Sequence, residues 1–282
     1  MNLTRIPTSP AERSAAFDAI AALGERDLTL PPDASQTPPL PVGPHWVTSG
    51  DATLDNGVLV YVHGGGFTHR NPPLMDLLAE RLSRATGRPV LVVHYPLAPA
   101  EPYPAALDAV LATHRALLEF LPAEKIVLFS ESSGGTLALA TMLLLDDSER
   151  PAGLVAVSPV TDLSLRSPSI DTNAATDAGV NRQLLEFLVG QYLAGAPGDQ
   201  APQSPLFGDL SRMPPLLLAA GGAEALLDDT LRFAEAATAA GVKTQVDMYE
   251  GMPHAFSIAT LDDTNPTGRT VLNRTATWIA TV

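Results

Sequence analysis

From Gly57 onward the chain alternates between short, unbroken apolar runs and longer stretches whose apolar residues recur every three or four positions. Gly57 to Val62 reads as a strand that ends at the glycine run His63-Gly64-Gly65-Gly66. Leu74, Leu77, Leu78, Leu82 and Ala85 then fall on one helical face, and Gly87 stops that helix. The same alternation predicts strands over 90–93, 126–129, 154–157, 216–220 and 244–249. It predicts helices over 105–121, 136–145, 226–240 and 271–279. Strands apolar throughout are those buried on both faces, and helices between them supply parallel crossovers, so the pattern predicts a parallel α/β sheet.

Two regions break the rhythm. Residues 10–24 have helical spacing through Phe17, Ile20 and Leu23, and Pro31 to Pro44 holds six prolines, which predicts an extended connection. Between Asp162 and Pro205 the chain is polar, then helical over 184–192, then rich in Gly and Pro, as expected of an insertion. The whole, 282 residues without internal repeats, fits one large domain with a small appendage.

Composition narrows the chemistry. A net charge of −14 repels phosphate backbones and anionic membranes, which argues against a nucleic-acid or membrane partner. The absence of cysteine excludes disulfides, thiolate metal sites and cysteine nucleophiles. The N-terminal residues lack the basic start and apolar run of a signal peptide, and no segment reaches the ~18 apolar residues of a membrane span, so the expectation is a soluble, cytoplasmic protein.

Strand 126–129 runs into Ser130-Glu131-Ser132-Ser133-Gly134 and then a helix. Small residues two before and two after Ser132 suit a nucleophile elbow, a turn so sharp that larger flanking side chains would meet the backbone. The usual flanking residue on the first side is Gly; here it is Ser130. Taken alone, the same string also reads as a helix N-cap without chemistry. The glycines at 64–66 let backbone N–H groups approach a developing oxyanion. A phosphate-cradling loop is the rival, but neither the Walker-A Lys-Ser/Thr nor the dinucleotide glycine spacing follows.

His63-Gly64-Gly65-Gly66, Tyr95-Pro96-Leu97-Ala98-Pro99 with Tyr103-Pro104-Ala105-Ala106, the Ser132 elbow, Ser158-Pro159-Val160-Thr161-Asp162-Leu163 and Gly251-Met252-Pro253-His254-Ala255-Phe256 occur in that order. With them the chain resembles the bacterial hormone-sensitive-lipase-like esterases of the α/β-hydrolase superfamily, across roughly residues 57–258. The resemblance implies an α/β-hydrolase fold: a mostly parallel central sheet flanked by helices, with a small helical cap. It divides the chain into an N-terminal cap segment and linker (1–45), a core (46–162 and 206–282) and a cap insertion (163–205). It assigns oxyanion-binding N–H groups to Gly65, Gly66 and Ser133. Members of the family often form homodimers. Besides Ser130, the family's Pro-Glu-His-Pro string departs here to Pro99-Ala100-Glu101-Pro102.

An elbow serine needs an imidazole on a loop after the last strand, and of six histidines only His254 lies there. His63 is expected to brace the glycine loop and His114 to be an ordinary helix residue. The acid should follow strand 216–220, where Glu224, Asp228 and Asp229 compete. Alignment with the family motif favours Glu224, whereas Asp228 and Asp229 near a helix N-terminus need no catalytic explanation. The expected activity is hydrolysis of short-chain or small-molecule esters through Ser132, His254 and Glu224, with an acyl-enzyme intermediate and neither cofactor nor metal. Phe67, Phe17, Leu184 and Leu188 are candidate substrate contacts. Some similar proteins are dehydratases, cyclases or receptors that use the same pocket without hydrolysis; they commonly replace the serine or the histidine, and both are retained here.

Overall fold

Among the described residues, eight strands form one sheet in the order Asn2–Ile6, Thr244–Tyr249, Leu216–Gly221, Gly153–Val157, Ile126–Glu131, Val58–Val62, Val90–Val93 and Trp46–Val47. The structure, a computed structural model, describes residues 1–43, 45–177 and 179–282. The six strands predicted from apolar runs are β3 (Val58–Val62), β4 (Val90–Val93), β5 (Ile126–Glu131), β6 (Gly153–Val157), β7 (Leu216–Gly221) and β8 (Thr244–Tyr249), all pairing in parallel. Their side chains alternate between two cores. Val58, Val60, Leu128 and Leu218 pack on one face with helices α3 (Ala105–Leu118), α4 (Ser133–Leu143) and α7 (Leu227–Ala239). Leu59, Val127, Val155 and Leu217 pack on the other with α2 (Pro72–Thr86) and α8 (Pro266–Ile279). Burial on both faces is why these strands read as continuous apolar runs rather than alternating ones.

Two strands carry no such run. β2 (Trp46–Val47) pairs antiparallel with β4 and is only two residues long. β1 (Asn2–Ile6) pairs in parallel with β8, from Asn2 opposite Gln245 to Ile6 opposite Tyr249. As an edge strand with three of five residues exposed, it shows no apolar face to read. The N-terminal segment, expected to belong to the lid, therefore begins inside the core sheet. Helix α1 (Pro10–Ala21) follows, started by a capping box between Ser9 and Glu12, and is shorter than the expected 10–24 because a separate 3-10 turn occupies Leu23–Glu25. The proline-rich stretch, expected to be extended, instead opens with a turn closed by the Ala34 N–H on the Pro31 carbonyl, bridges Thr48 at Ser35 and bends over 39–43; Pro44 lies outside the described residues.

The insertion contains α5 (Ser169–Thr172) and α6 (Arg182–Leu193). Asn181 caps α6 by accepting from the Leu184 N–H, and Ala194 ends it in the left-handed region. The half of α6 bearing Leu184, Leu185 and Leu188 faces the loops at the C-terminal ends of β3 and β5, so the insertion roofs the place where an open parallel sheet positions ligands. No described helix is long and apolar enough to cross a membrane.

Candidate active site

The turn between β5 and α4 is an elbow. Ser132 sits at φ 51°, ψ −123°, a conformation worth about 1–3 kcal/mol of strain for a non-glycine residue. The Ser132 N–H is held by the Val157 carbonyl at 2.9 Å. A side chain at Gly134 would place its Cβ 2.2 Å from the Val62 carbonyl oxygen and 2.4 Å from that of His63, which is why this flank requires glycine. The other flank tolerates Ser130. It is fully buried between β3 and β6, opposite Ala156, and its hydroxyl donates to the Val155 carbonyl at 3.1 Å, so the extra atom is hydrogen-bonded rather than stranded.

The Ser132 hydroxyl lies 3.1 Å from Nε2 of His254. The histidine is carried by the loop after β8, where Gly251 and Ala255 both take positive φ and turn the chain back over the sheet. Burial pushes the imidazole below its ordinary pKa, favouring the neutral ring that accepts a proton. Nδ1 faces Glu224 at 3.9 Å, an ion-pair separation and too long for a hydrogen bond.

Glu224 is fully buried in the loop after β7. Its Oε2 accepts from the Ser158 hydroxyl at 2.7 Å and the Gly221 N–H at 3.0 Å. Burial pushes this carboxyl well above the usual carboxylate range; the two hydrogen bonds oppose that, and Asp177 and Asp229 nearby add to it. The insertion fixes the loop's backbone: Asn173 donates to the Glu224 carbonyl, Thr176 to the Ala223 carbonyl, and Asp177 accepts from the Ala225 N–H. Asp228 and Asp229 point elsewhere. Asp228 accepts from the Ser169 N–H at 2.8 Å, and buried Asp229 accepts from the N–H groups of Thr161 and Asp162 at 2.7 and 2.9 Å.

Opposite the elbow, the glycine run turns sharply, with φ of 112° at Gly65, 60° at Gly66 and 65° at Phe67. A Cβ on Gly65 would lie 2.1 Å from the His69 carbonyl oxygen. Among the described residues the N–H groups of Gly65, Gly66 and Ser133 have no protein acceptor, so they remain available to a ligand oxygen. Phe67 cannot offer its amide, because it donates to the Ser133 hydroxyl at 3.2 Å. His63 braces this loop through Nδ1 to the Gly64 carbonyl at 2.6 Å and by stacking on Tyr95 at 4.2 Å. Burial pushes its pKa down to about 4, so it holds the loop as a neutral donor. His114, on α3, is buried and pinned to the Glu149 carbonyl far from the site.

These groups share a cavity of about 540 Å³. Of the candidate substrate contacts, Phe67, Leu184 and Leu188 line it. Phe17 does not: the half-buried α1 side chain belongs to the helix that packs against the turn after His254, behind the cavity. Residues that only folding reveals as wall are Val160, Val180 and Leu226 on the apolar side, and Tyr61, Glu131 and Ser257 on the polar side. Among the described residues no cluster of His, Asp or Glu has the makings of a metal site.

The model of the alpha/beta hydrolase fold family matches residues 59–258. An esterase of Acinetobacter venetianus is 39% identical over 212 residues, covering 71% of this chain and 68% of that protein. An ethyl acetate hydrolase of Pseudomonas putida is 32% identical over 241 residues, covering 82% and 74%. The crystal structure of an esterase from the bacterial hormone-sensitive lipase family superposes with a TM-score of 0.87 at 29% identity, covering 96% of this chain and 98% of that one. This chain is a carboxylic ester hydrolase that belongs to the α/β-hydrolase fold family, among the bacterial hormone-sensitive-lipase-like esterases.

Proposed function

We propose that the protein hydrolyses short-chain esters by double displacement, with Ser132 as nucleophile, His254 as general base and then general acid, and Glu224 as the acid that orients the imidazole. The observation that carries this reading is the 3.1 Å contact between the Ser132 hydroxyl and His254 Nε2, opposite the N–H groups after His63. Ser132 attacks the ester carbonyl as its proton passes to Nε2. The carbonyl oxygen, now negative, is received by the N–H groups of Gly65, Gly66 and Ser133, each donor worth about 3 kcal/mol in the transition state. The imidazolium that forms faces Glu224 in a site poor in water, and the 3.9 Å gap contracts to a hydrogen bond as charge develops. The alcohol leaves with the proton from His254, and a water deprotonated by the same ring releases the acid.

The size of the substrate follows from the roof. Leu188 sits against Gly66, where any added Cβ would meet it at 2.5 Å, and Leu184 and Leu185 close the apolar side. A cavity of 540 Å³ that must hold acyl and alcohol portions together favours small esters, in keeping with the ethyl acetate hydrolase among the relatives. The protein is treated with p-nitrophenyl esters of increasing chain length and with an organophosphonate, followed by peptide mass mapping. The expected result is short-ester turnover, a covalent adduct on Ser132, and a loss of about a millionfold in kcat for Ser132→Ala. Stoichiometric ligand binding with neither adduct nor turnover would replace this reading with that of a small-molecule receptor.

A further inference from the structure

The carboxyl group beside the nucleophile has no part in that chemistry, yet it bonds to side chains on β3 and on the turn after His254. Glu131 immediately precedes Ser132 and forms part of the cavity wall. Its Oε2 accepts from the Tyr61 hydroxyl at 2.8 Å, and its Oε1 accepts from the Ser257 hydroxyl at 2.5 Å. Tyr61 lies on β3, two residues before His63 and the glycine loop; Ser257 lies in the 3-10 turn Phe256–Leu261, three residues after His254. One side chain therefore links the oxyanion loop, the elbow and the histidine loop, across sequence separations of 70 and 126 residues.

The Ser257 link anchors the histidine loop on the far side of His254; on the near side the Met252 carbonyl accepts from the Ala223 N–H at 3.0 Å. Among the described residues the Ser257 link is the one side-chain hydrogen bond from residues 255–261 to the sheet; the other bond made by a side chain there, from Thr260 to the Ser257 carbonyl, is internal to the turn. The backbone of this stretch is likewise bonded within itself, from Ile258 to Ala255 and from Asp262 to Ala259. Packing against α8, α1 and α2 supports the turn from behind, but it is less directional than a hydrogen bond.

We propose that Glu131 is a positioning residue, which sets the distance between Ser132 and His254 by tying the turn after the histidine to the elbow and to β3. The proposal rests on the assignment of Ser132 and His254 above. A displacement of about 1 Å at a reacting pair costs on the order of a hundredfold in rate, and the clamp prevents a displacement of that kind without touching substrate. Glutamine keeps the length of the side chain, an acceptor for Tyr61 and a polar partner for the Ser257 hydroxyl, so it should keep the clamp.

The test compares Glu131→Ala, Glu131→Gln and Ser257→Ala, alone and combined, with rates expressed per site titrated by the organophosphonate so that misfolded protein is not counted. The expected result for Glu131→Ala is a fall in kcat of about ten- to a hundredfold with KM within about threefold, and for Glu131→Gln a kcat within about threefold of the parent. Ser257→Ala should lower kcat in the parent but add nothing in the Glu131→Ala background, since both remove one tether. Parent-like kcat in Glu131→Ala, a Gln variant as slow as the Ala variant, or a full additional loss from Ser257→Ala would each overturn the proposal. If Glu131→Ala fails to fold, the Gln variant and Ser257→Ala still decide it. Failure of the underlying assignment would show separately, as activity surviving in Ser132→Ala.

Discussion

Replacing Gly134 by alanine tests how tightly the elbow is built. The added Cβ would stand 2.2 Å from the Val62 carbonyl oxygen, 2.4 Å from that of His63 and 2.8 Å from the His63 carbonyl carbon. Cβ contacts under 3.0 Å are essentially never seen, so α4 must retreat by at least 0.8 Å from the end of β3. All three obstacles are backbone, at the last residue of a strand paired on both sides and the residue just after it, and no side chain is there to rotate away. Overpacking of this kind costs about 1–3 kcal/mol. The retreat also carries Ser132 and the Ser133 amide away from the glycine loop, and a misplacement near 1 Å predicts about a hundredfold loss in kcat. Thermal unfolding and phosphonate-titrated turnover of short p-nitrophenyl esters measure the two effects. Gly190→Ala is the control, because a Cβ there meets nothing within 4 Å; in the last turn of α6 it should stabilise by about 0.5–1 kcal/mol and leave kcat unchanged. A Gly134→Ala protein with parent stability and kcat within threefold would refute the reasoning.

Ser158→Ala removes a hydrogen bond that holds Glu224 down; the carboxyl should move further up, and the ascending acid limb of kcat/KM should shift to higher pH, because in the proposed mechanism the ionised carboxylate supports the imidazolium. A limb that moves to lower pH would contradict that electrostatic picture. Glu224→Ala should cost far more activity than Asp228→Ala, whose carboxylate serves the Ser169 amide; kcat/KM for both variants decides, and the reverse ranking would transfer the role to Asp228. Asp229→Ala strands the buried N–H groups of Thr161 and Asp162, at about 1–3 kcal/mol each, so denaturant unfolding should show a large loss of stability.

The six central strands were legible because a two-sided core demands uninterrupted apolar residues, and each of them meets that demand locally. β1 was not, because an edge strand with one neighbour and an exposed face can be written as Asn-Leu-Thr-Arg-Ile. Ser132, His254 and the glycine loop were readable for a related reason: each rests on a short string whose backbone geometry constrains its own residues. Phe17 was misplaced because helical spacing shows that a residue is turned inward but not which cavity it faces. Ser158 stood in a legible motif, but its bond to Glu224, 66 residues away, was not readable, and the roles of Glu131 and Asp177 were hidden likewise, since their partners lie 126 and 48 residues away. Ser130, which stands where Gly is usual, is a strand residue with its own acceptor.

The pairing of β1 with β8 also bears on how the molecule is made. Residues 2–6 are synthesised well before their partners at 245–249, so this strand waits unpaired while the intervening chain is made. Closing so long a loop comes late and brings little buried area with it. Once docked, the strand covers the open hydrogen-bonding edge of β8, the row of amides and carbonyls on which a neighbouring molecule could otherwise continue the sheet.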